Sequence, residues 1–173
     1  MTFDVVVAAD LEWGIGKAKG LPWPRLRGDL AHFKRITTTA SDGRRNAIVM
    51  GRKTWESKEV GGKPLAKRLN VVVSRSELAV PDGVVVAGSL DAALAVPDVE
   101  TIFVVGGAGL FQAALEHARL RWVYLTRVDG RFECDVRMPD LDARGFIRDV
   151  WDGEHDGEDS GVRYHIERLR RRE

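Results

Sequence analysis

The segment Thr101–Gly109 reads TIFVVGGAG, an apolar, β-branched run that passes directly into a glycine-rich turn. The apolar run predicts a strand that is buried on both faces. Beyond the turn, Leu110, Phe111 and Ala114 recur on one side of a predicted helix. A buried strand, a glycine turn and a helix form the unit from which α/β folds are built.

Four further apolar runs predict strands, and predicted helices separate several of them. These strands are Val5–Ala9, Ala47–Met50, Asn70–Val73 and Val84–Val86. The alternation predicts a mostly parallel sheet with helices on both faces, because parallel neighbours need crossover connections. Trp122–Val128 predicts another strand, and the period-two pattern of Val162–Glu167 predicts an antiparallel strand that closes one edge. No internal repeat or linker interrupts the chain, so we expect residues 1–173 to form a single domain.

The composition indicates an ordinary globular protein. Of the 173 residues, 44% are hydrophobic and 31% are charged, and the formal net charge is +1. A near-neutral chain produces no field that would recruit nucleic acid or an anionic membrane. The apolar run near the N-terminus is too short for a signal peptide or a membrane span. Cys134 is the single cysteine, which excludes an internal disulfide, and we expect a cytoplasmic protein that binds neither nucleic acid nor membrane.

The glycine turn after Val105 lacks the dinucleotide-binding fingerprint. Counted from Gly107, that pattern needs its third glycine where Gln112 stands. Bare backbone at a strand-to-helix turn can nevertheless approach a pyrophosphate and direct helix N–H groups at it. The glycines could equally serve only to bring the strand and the helix close together. From the residues alone, both interpretations stay open.

Cationic and hydroxyl side chains follow two other predicted strands. Gly51-Arg52-Lys53-Thr54 begins a predicted helix, which indicates an anion site more than a solvated helix start, because cations there oppose the helix dipole. Ser74 and Arg75 follow Val73, at the end where open α/β sheets bind ligands. If the two strands are neighbours, two guanidinium groups and a hydroxyl meet, a set that suits the 2′-phosphate of NADP.

The segment Leu21–Lys34 reads LPWPRLRGDLAHFK and contains a carboxylate at the border of an apolar helical face. That face consists of Leu26, Leu30, Phe33 and Ile36. Asp29 is therefore either an exposed helix-start acid or a buried functional group, and taken alone the exposed position is favoured. The preceding loop, Asp10–Gly20, contains glycines that would let it swing over a ligand, although a plain surface connection fits equally well.

The other polar features favour structural explanations. The four histidines show no metal-ligand spacing, and we expect His32 on a helix surface. Asp152–Gly157 imitates the start of a calcium loop, but Arg163 stands where the closing glutamate belongs, so we expect a solvated hairpin loop. The basic run Arg168–Arg172 predicts a solvated C-terminal segment. The sequence therefore predicts no metal site.

Seven motifs follow one another in a characteristic order. They are Gly14-Ile15-Gly16 with Leu21-Pro22-Trp23, Asp29 with Phe33-Lys34, Met50-Gly51-Arg52-Lys53-Thr54-Trp55-Glu56-Ser57, Pro64-Leu65, Arg68 before Asn70–Arg75, Val105-Gly106-Gly107, and Tyr124-Leu125-Thr126. Each is weak alone, but in this order and over nearly the whole chain they resemble the dihydrofolate reductase family.

The resemblance implies a three-layer α/β/α fold, with a mostly parallel sheet of about eight strands and an antiparallel C-terminal edge strand. It implies NADPH-dependent reduction of 7,8-dihydrofolate to 5,6,7,8-tetrahydrofolate, by hydride transfer to C6 and protonation at N5. It also implies a monomer without an obligate protein partner. Two alternatives remain, a pyrimidine reductase of riboflavin synthesis and a non-catalytic nucleotide-binding module. Leu21-Pro22-Trp23 with Asp29, together with Arg68, argues against the first alternative.

The resemblance also assigns site residues. The catalytic set that it implies is Asp29, Trp23 and Thr126, in which Thr126 hydrogen-bonds Asp29 and Asp29 holds the pterin ring. The implied substrate-binding residues are Val6, Val7, Ala8, Asp29, Leu30, Phe33, Lys34, Leu65, Arg68 and Thr126. The implied cofactor-binding residues are Ala8, Ile15, Gly16, Lys17, Gly20, Gly51, Arg52, Lys53, Thr54, Ser74, Arg75, Val105, Gly106, Gly107, Ala108, Gly109, Leu110 and Phe111. Arg68 would pair with the substrate's glutamate carboxylate, and the Gly106–Gly107 bond is expected to be cis.

In this context we expect Asp29 to be buried and to titrate above a free aspartate. Apolar burial can raise a carboxyl pKa by up to ~3–5 units, whereas a helix start lowers it by less than about one. Three features depart from the family pattern. Lys58 stands where an apolar residue usually faces the substrate, Ala108 replaces a frequent third glycine, and Pro24–Gly28 is one residue longer than in the common bacterial form.

Overall fold

The predicted strands and helices are present, with several short additions. The computed structural model describes all residues from Met1 to Glu173. The strands are β1 (Phe3–Ala9), β2 (Gly14–Gly16), β3 (Ala47–Gly51), β4 (Leu69–Val73), β5 (Val85–Ala87), β6 (Ile102–Gly106), β7 (Leu120–Val128), β8 (Val136–Arg137), β9 (Phe146–Asp149), β10 (His155–Asp159) and β11 (Val162–Arg171). The helices are α1 (Arg27–Thr38), α2 (Arg52–Trp55), α3 (Leu90–Leu94) and α4 (Ala108–Glu116).

Nine strands form the main sheet, in the order β10-β11-β7-β1-β6-β3-β4-β5, with β9 also paired to β11. The pairs from β7 across to β5 are parallel, whereas β11 is antiparallel to β7, β9 and β10. The mostly parallel sheet and the antiparallel C-terminal strand are therefore confirmed. β11 does not itself close the edge, because β10 covers the first part of its outer side and β9 the second. His155–Gly157, expected in a solvated loop, thus belong to an edge strand, where charged residues are tolerated and blunt the edge.

Helices cover both faces of the sheet, as predicted. On one face, Phe33 of α1 and Trp55 of α2 pack with Val6, Ile48 and Met50. On the other face, α3 and α4 pack on the alternate residues of the same strands, among them Val5, Val49 and Val104. The longest helix, α1, has 12 residues, and no helix combines the length and apolar character that a membrane crossing requires.

The basic run near the C-terminus is part of the fold, not a solvated segment. Arg168 donates to Asp149 at 2.8 Å, and its guanidinium lies 3.8 Å from the ring centre of Trp122. Arg171 donates to the carbonyl oxygens of Leu115 and His117, at 2.7 and 2.8 Å, where α4 ends. Long arginine side chains can pack their stems while their heads bind polar groups, which a count of charges does not reveal.

Candidate active site

Asp29 is buried in the first turn of α1, with 9% of its surface exposed. Leu26, 2% exposed, anchors the chain immediately before the helix. Thr126 of β7 donates a hydrogen bond from Oγ1 to Asp29 Oδ1 at 2.6 Å, and it lies opposite Ala8 in the ladder with β1. The predicted contact between Thr126 and Asp29 is therefore present, and the exposed alternative for Asp29 is excluded.

The environment of Asp29 favours its protonated form. Burial raises the pKa of this carboxyl, and the hydrogen bond from Thr126 and the nearby His155 lower it by less. The net pKa lies above the ordinary aspartate value, as expected from the sequence. A carboxyl group with a raised pKa can exchange a proton closer to neutral pH, which is the requirement for general acid–base work.

The apolar side of α1 packs on the sheet but stays partly open, and we call the surface beside Asp29, Leu30 and Phe33 the cleft. Leu30, Phe33 and Ile36 are only half-buried, whereas the polar Asp29, His32 and Thr37 are buried. Half-exposed apolar side chains beside a buried polar group are typical of a small-molecule pocket. Val6 and Leu65 belong to the same cluster as Phe33, but the side chain of Val7 lies in the core on the opposite face of the sheet. Of the β1 residues assigned to the substrate, Val7 can therefore contribute only backbone.

Arg68 presents a cation next to this cleft. It is 9% exposed, its Nη1 donates to Thr37 Oγ1 at 2.9 Å, and its guanidinium lies 6.0 Å from the ring centre of Phe33. Burial lowers the pKa of Arg68, and no acidic side chain of the protein forms an ion pair with it. A guanidinium that pairs with no carboxylate of the protein is available to bind the carboxylate of a ligand. Lys34 is exposed on the same helix.

A second group of polar side chains lies beyond β3 and β4. These strands are neighbours, with Gly51 opposite Val73. Arg52 and Ser74, which follow them, therefore lie at the same edge of the sheet, as the predicted phosphate site requires. Arg52 Nη1 donates to Ser76 Oγ at 3.4 Å, and Ser74 Oγ donates to the carbonyl oxygen of Ser76 at 2.9 Å. Arg52 also pairs with Glu56 at 2.7 Å, and Lys53 and Arg75 are exposed. Sequence reasoning missed Ser76, although it follows Ser74 by two positions.

The glycine turn at Gly51 and the turn at Gly106–Gly107 lie side by side. The Gly106–Gly107 bond is cis, as expected, and Gly106 has a φ of 148°. A Cβ atom at Gly106 would lie 2.8 Å from Thr54 Oγ1, so a side chain is excluded there. A Cβ atom at Gly51 would lie 3.7 Å from the Gly107 nitrogen, which shows how closely the turns approach. No side chain caps the start of α4 at Gly107, so its first N–H groups are available to an anion.

The loop Gly14–Leu21 is tied to two distant segments. β2 pairs antiparallel with β8, and the Ala18 N–H donates to Asp135 Oδ2 at 3.0 Å. On the other side, the Leu21 N–H donates to Glu59 Oε1 at 2.7 Å. Trp23, 5% exposed, follows the loop and packs edge-on against Phe132. Asp135 and Glu59 had no sequence signal, because their partners lie far away along the chain.

Comparison with known proteins decides the family. The family model described as "Dihydrofolate reductase" matches residues 2–171. The chain belongs to the dihydrofolate reductase family. A dihydrofolate reductase of Schistosoma mansoni is 40% identical over 151 residues, which cover 82% of this chain and 80% of that protein. The solved structure of Schistosoma mansoni dihydrofolate reductase superposes with a TM-score of 0.84 at 35% identity and covers 98% of each chain.

Some relatives are much longer than this chain. A bifunctional dihydrofolate reductase-thymidylate synthase of Glycine max is 46% identical over 152 residues, which cover 82% of this chain but 28% of that protein. A similarly named protein of Arabidopsis thaliana is 40% identical over 94% of this chain, which corresponds to 33% of its own length. The chain therefore spans about a third or less of these bifunctional relatives.

The three features expected to depart from the family pattern lie in different parts of the fold. Lys58 is exposed, and its Cδ would lie 3.3 Å from a Cβ atom at Gly20, so the side chain runs along the loop. In the longer segment Pro24–Gly28, the Arg27 N–H donates to Asp159 Oδ2 at 2.8 Å, so this segment is held against the β10–β11 hairpin. Ala108 is the first residue of α4 and is compatible with its helical backbone.

His32 is buried, which contradicts its expected position on the helix surface. It is 2% exposed, and its ring centre lies 5.8 Å from that of Trp151 and 6.1 Å from that of His155. Burial lowers the pKa of His32 to about 4, so the ring is neutral at pH 7. The prediction was wrong because Trp151 and the start of β10 cover this side of α1, and helical periodicity does not reveal such a contact.

Two other features lie outside the set of residues assigned to the site. A cavity of about 590 Å³ beside the β10–β11 hairpin is lined mostly by charged and polar side chains, and Asp29 is not among them. Glu154, His165 and Glu167 place ligand atoms within 4.8 Å of one another. Both carboxylates already pair with arginines, Glu154 with Arg148 and Glu167 with Arg127, so this cluster does not indicate a metal site.

Proposed function

We propose that this protein catalyses the NADPH-dependent reduction of 7,8-dihydrofolate to 5,6,7,8-tetrahydrofolate. The observation that carries the proposal is the buried pair of Asp29 and Thr126, which lies beside an apolar cleft with Arg68 along one wall. Family membership supports it, since the same family assigns both the pterin-binding acid and the carboxylate-binding arginine to these positions.

The cleft residues divide the task of holding the substrate. Asp29 accepts hydrogen bonds from N3 and the 2-amino group of the pterin, and Thr126 fixes the orientation of the carboxylate. Leu30 and Phe33, half-exposed along the cleft, pack on the ring system. Arg68, already oriented by its bond to Thr37, pairs with the glutamate carboxylate. Orientation of this kind contributes to catalysis by reducing the entropy that must be lost at the transition state.

The donor groups around the glycine turns fit a phosphorylated dinucleotide. Uncapped N–H groups at the start of α4 suit a pyrophosphate. Arg52, Ser74 and Ser76 are linked by hydrogen bonds and, with the exposed Arg75, suit a terminal phosphate monoester. NADPH, when bound there, supplies the hydride that C6 receives. The loop Gly14–Leu21, held by Asp135 and Glu59, would close over the nicotinamide and exclude water from the reacting atoms.

Protonation of N5 requires an acid, and Asp29 is the buried carboxyl group of this cleft. Its oxygens face N3 and the 2-amino group, so we assign the last transfer to N5 to a water molecule. The raised pKa of Asp29 makes its proton available closer to neutral pH than that of a free aspartate.

A direct assay separates this function from its rivals. Protein mixed with NADPH and dihydrofolate should show loss of nicotinamide absorbance, and Asp29→Asn should keep NADPH binding while turnover falls by about 10²-fold or more at neutral pH. Near-normal turnover of Asp29→Asn would refute the assigned role. NADPH binding without any absorbance change would favour a non-catalytic nucleotide-binding module. Reduction of a pyrimidine of riboflavin synthesis in place of dihydrofolate would favour the other reductase.

We also infer that the protein acts as a monomer in the cytoplasm. The family resemblance implies a monomer without an obligate protein partner. Cys134 has no disulfide partner, which suits a reducing compartment. Light scattering after size exclusion at micromolar concentration should give the mass of one chain, and a stable dimer would contradict the inference.

A further inference from the structure

His32 is a buried polar residue that the proposed mechanism leaves unused. It is 2% exposed, and its Nδ1 atom has no hydrogen-bond partner in the protein. Buried polar atoms without a partner destabilise a fold, and ordered water usually satisfies such atoms. A phenylalanine would fill a similar space without this cost, so a histidine at this position calls for a ligand on Nδ1.

The position of His32 links it to Asp29. The two residues are separated by three positions on α1, which places them on the same helical face, and both are buried. Thr126 occupies one oxygen of the Asp29 carboxylate, and the other oxygen accepts no hydrogen bond from the protein. Side chains three positions apart on a helix have Cβ atoms about 5–6 Å apart, a separation that one water molecule can bridge between two polar groups where it has room.

The groups that face this pair come from four elements. Arg35 of α1 and His155 of β10 act electrostatically on His32, Thr126 of β7 bonds Asp29, and Tyr164 of β11 is influenced by Asp29. His155 is exposed, and its Nδ1–H donates to the carbonyl oxygen of Gly153 at 2.7 Å. A positive charge on His155 lowers the pKa of Asp29, and a negative charge on Asp29 raises the pKa of Tyr164, so these groups interact electrostatically.

We propose that His32 is a positioning residue for Asp29: its Nδ1 binds a buried water that donates a hydrogen bond to the free carboxylate oxygen and stabilises the charged form. This inference rests on the proposed function only for its kinetic readout. His155 acts on the same carboxylate from the surface through its charge. The neutral ring of His32 acts at short range through the water.

The test compares three variants with the parent protein. His32→Phe removes Nδ1 and retains an aromatic ring, whereas His32→Asn retains a polar atom near the Nδ1 position. The Asp29 carboxyl is titrated by carbon NMR in the absence of substrate, and the pH profile of hydride transfer is measured in single turnovers. His32→Phe should raise the Asp29 pKa by about 0.5–1 unit in both experiments, because a hydrogen bond to the charged form is lost, and His32→Asn should restore most of the shift.

His155→Asn separates charge from hydrogen bonding. It should raise the Asp29 pKa by a smaller amount that disappears at high salt, because His155 is exposed, whereas the His32→Phe shift should persist. Equal Asp29 titration in the parent, His32→Phe and His32→Asn would overturn the inference, whatever the melting temperatures of the variants. Absence of dihydrofolate turnover in the parent would instead overturn the proposed function and leave the NMR titration as the test of His32.

Discussion

At the scale of single residues, Asp29 is a carboxylate whose burial opposes stability. Its carboxylate is placed where burial disfavours the charge, and the one hydrogen bond from Thr126 offsets only part of that effect. The folded protein therefore holds the Asp29 proton more tightly than the unfolded chain does. At pH values between the Asp29 pKa of the unfolded chain and that of the folded protein, the folded state binds more protons than the unfolded state. The free energy of unfolding therefore decreases as pH rises through this range.

Asp29→Asn should consequently stabilise the protein at pH 7 while it abolishes most turnover. The amide carries no charge and still accepts the hydrogen bond from Thr126, so the burial penalty disappears. The gain in unfolding free energy, measured by urea denaturation, should shrink at about pH 4 and below, where Asp29 is protonated in both states. Asp42→Asn, an exposed aspartate without a side-chain hydrogen bond, is the control and should change little at either pH. A loss of stability in Asp29→Asn at pH 7 would show that the carboxylate is stabilising.

At the scale of elements, Asp10 connects the end of β1 to two loops. Its carboxylate is 6% exposed and accepts from the N–H groups of Gly14 at 2.8 Å, Glu12 at 2.9 Å and Phe132 at 3.1 Å. Burial alone would raise the pKa of Asp10, but these donors outweigh it, and the net pKa is lowered. At pH values above the Asp10 pKa of the unfolded chain, the ionised Asp10 therefore stabilises the folded state. This stabilisation is lost as pH falls through the lower Asp10 pKa of the folded protein.

Asp10→Asn should destabilise the protein by about 1–3 kcal/mol at pH 7, because the amide NH₂ cannot accept from the backbone donors. The difference from the parent should narrow in acid, once pH falls below about 4. Denaturation midpoints at several pH values measure this dependence. Asp129→Asn, an exposed residue next to the same loop, provides the matched control. If Asp10→Asn lowered the unfolding free energy by the same amount at every pH, the loss would come from altered packing and not from the charge of Asp10.

Arg171 performs a comparable task at the other end of the chain. Its guanidinium binds two carbonyl oxygens at the end of α4, which has no basic residue in its own last turn. Arg171→Gln should lower the unfolding free energy by about 1.5–3 kcal/mol, since charge-assisted bonds to the helix end are lost. Arg172→Gln, the exposed neighbour, should be nearly neutral. Equal effects of the two substitutions in thermal denaturation would indicate a general charge effect.

Elements were predictable from sequence where burial alone determines the pattern. The apolar runs of β1, β3, β4 and β6 match strands buried on both faces. β10, with the sequence HDGED, was missed because one side of an edge strand faces solvent and needs no apolar residues. α1 was located correctly, but its polar residues Asp29, His32 and Thr37 are buried while its apolar residues stay partly exposed, so His32 was misplaced. Helical periodicity identifies a face and not what the face contacts.

At the scale of the whole molecule, the site depends on contacts that no local pattern records. Asp29 and Thr126 meet only because β7 lies beside β1, and Ala18 and Asp135 meet only because β8 pairs with β2. The resemblance to a family supplied the first pair, because the family carries that information in the order of its motifs. Glu59, Asp135 and the burial of His32 required the folded chain.

The same sheet joins the two halves of the site, so ligand binding should stabilise the whole molecule. NADPH at about a hundred times its Kd should add about 2.7 kcal/mol to the unfolding free energy, which corresponds to a rise in Tm of about 5–10 °C for a domain of this size. The double variant Arg52→Gln with Ser74→Ala should lose much of this rise, since it removes a guanidinium and a hydroxyl from the group assigned to the phosphate monoester. Its response to NADH, which lacks that phosphate, should match the parent's response to NADH. Differential scanning fluorimetry with both nucleotides measures these shifts, and equal losses for NADPH and NADH would place the 2′-phosphate elsewhere.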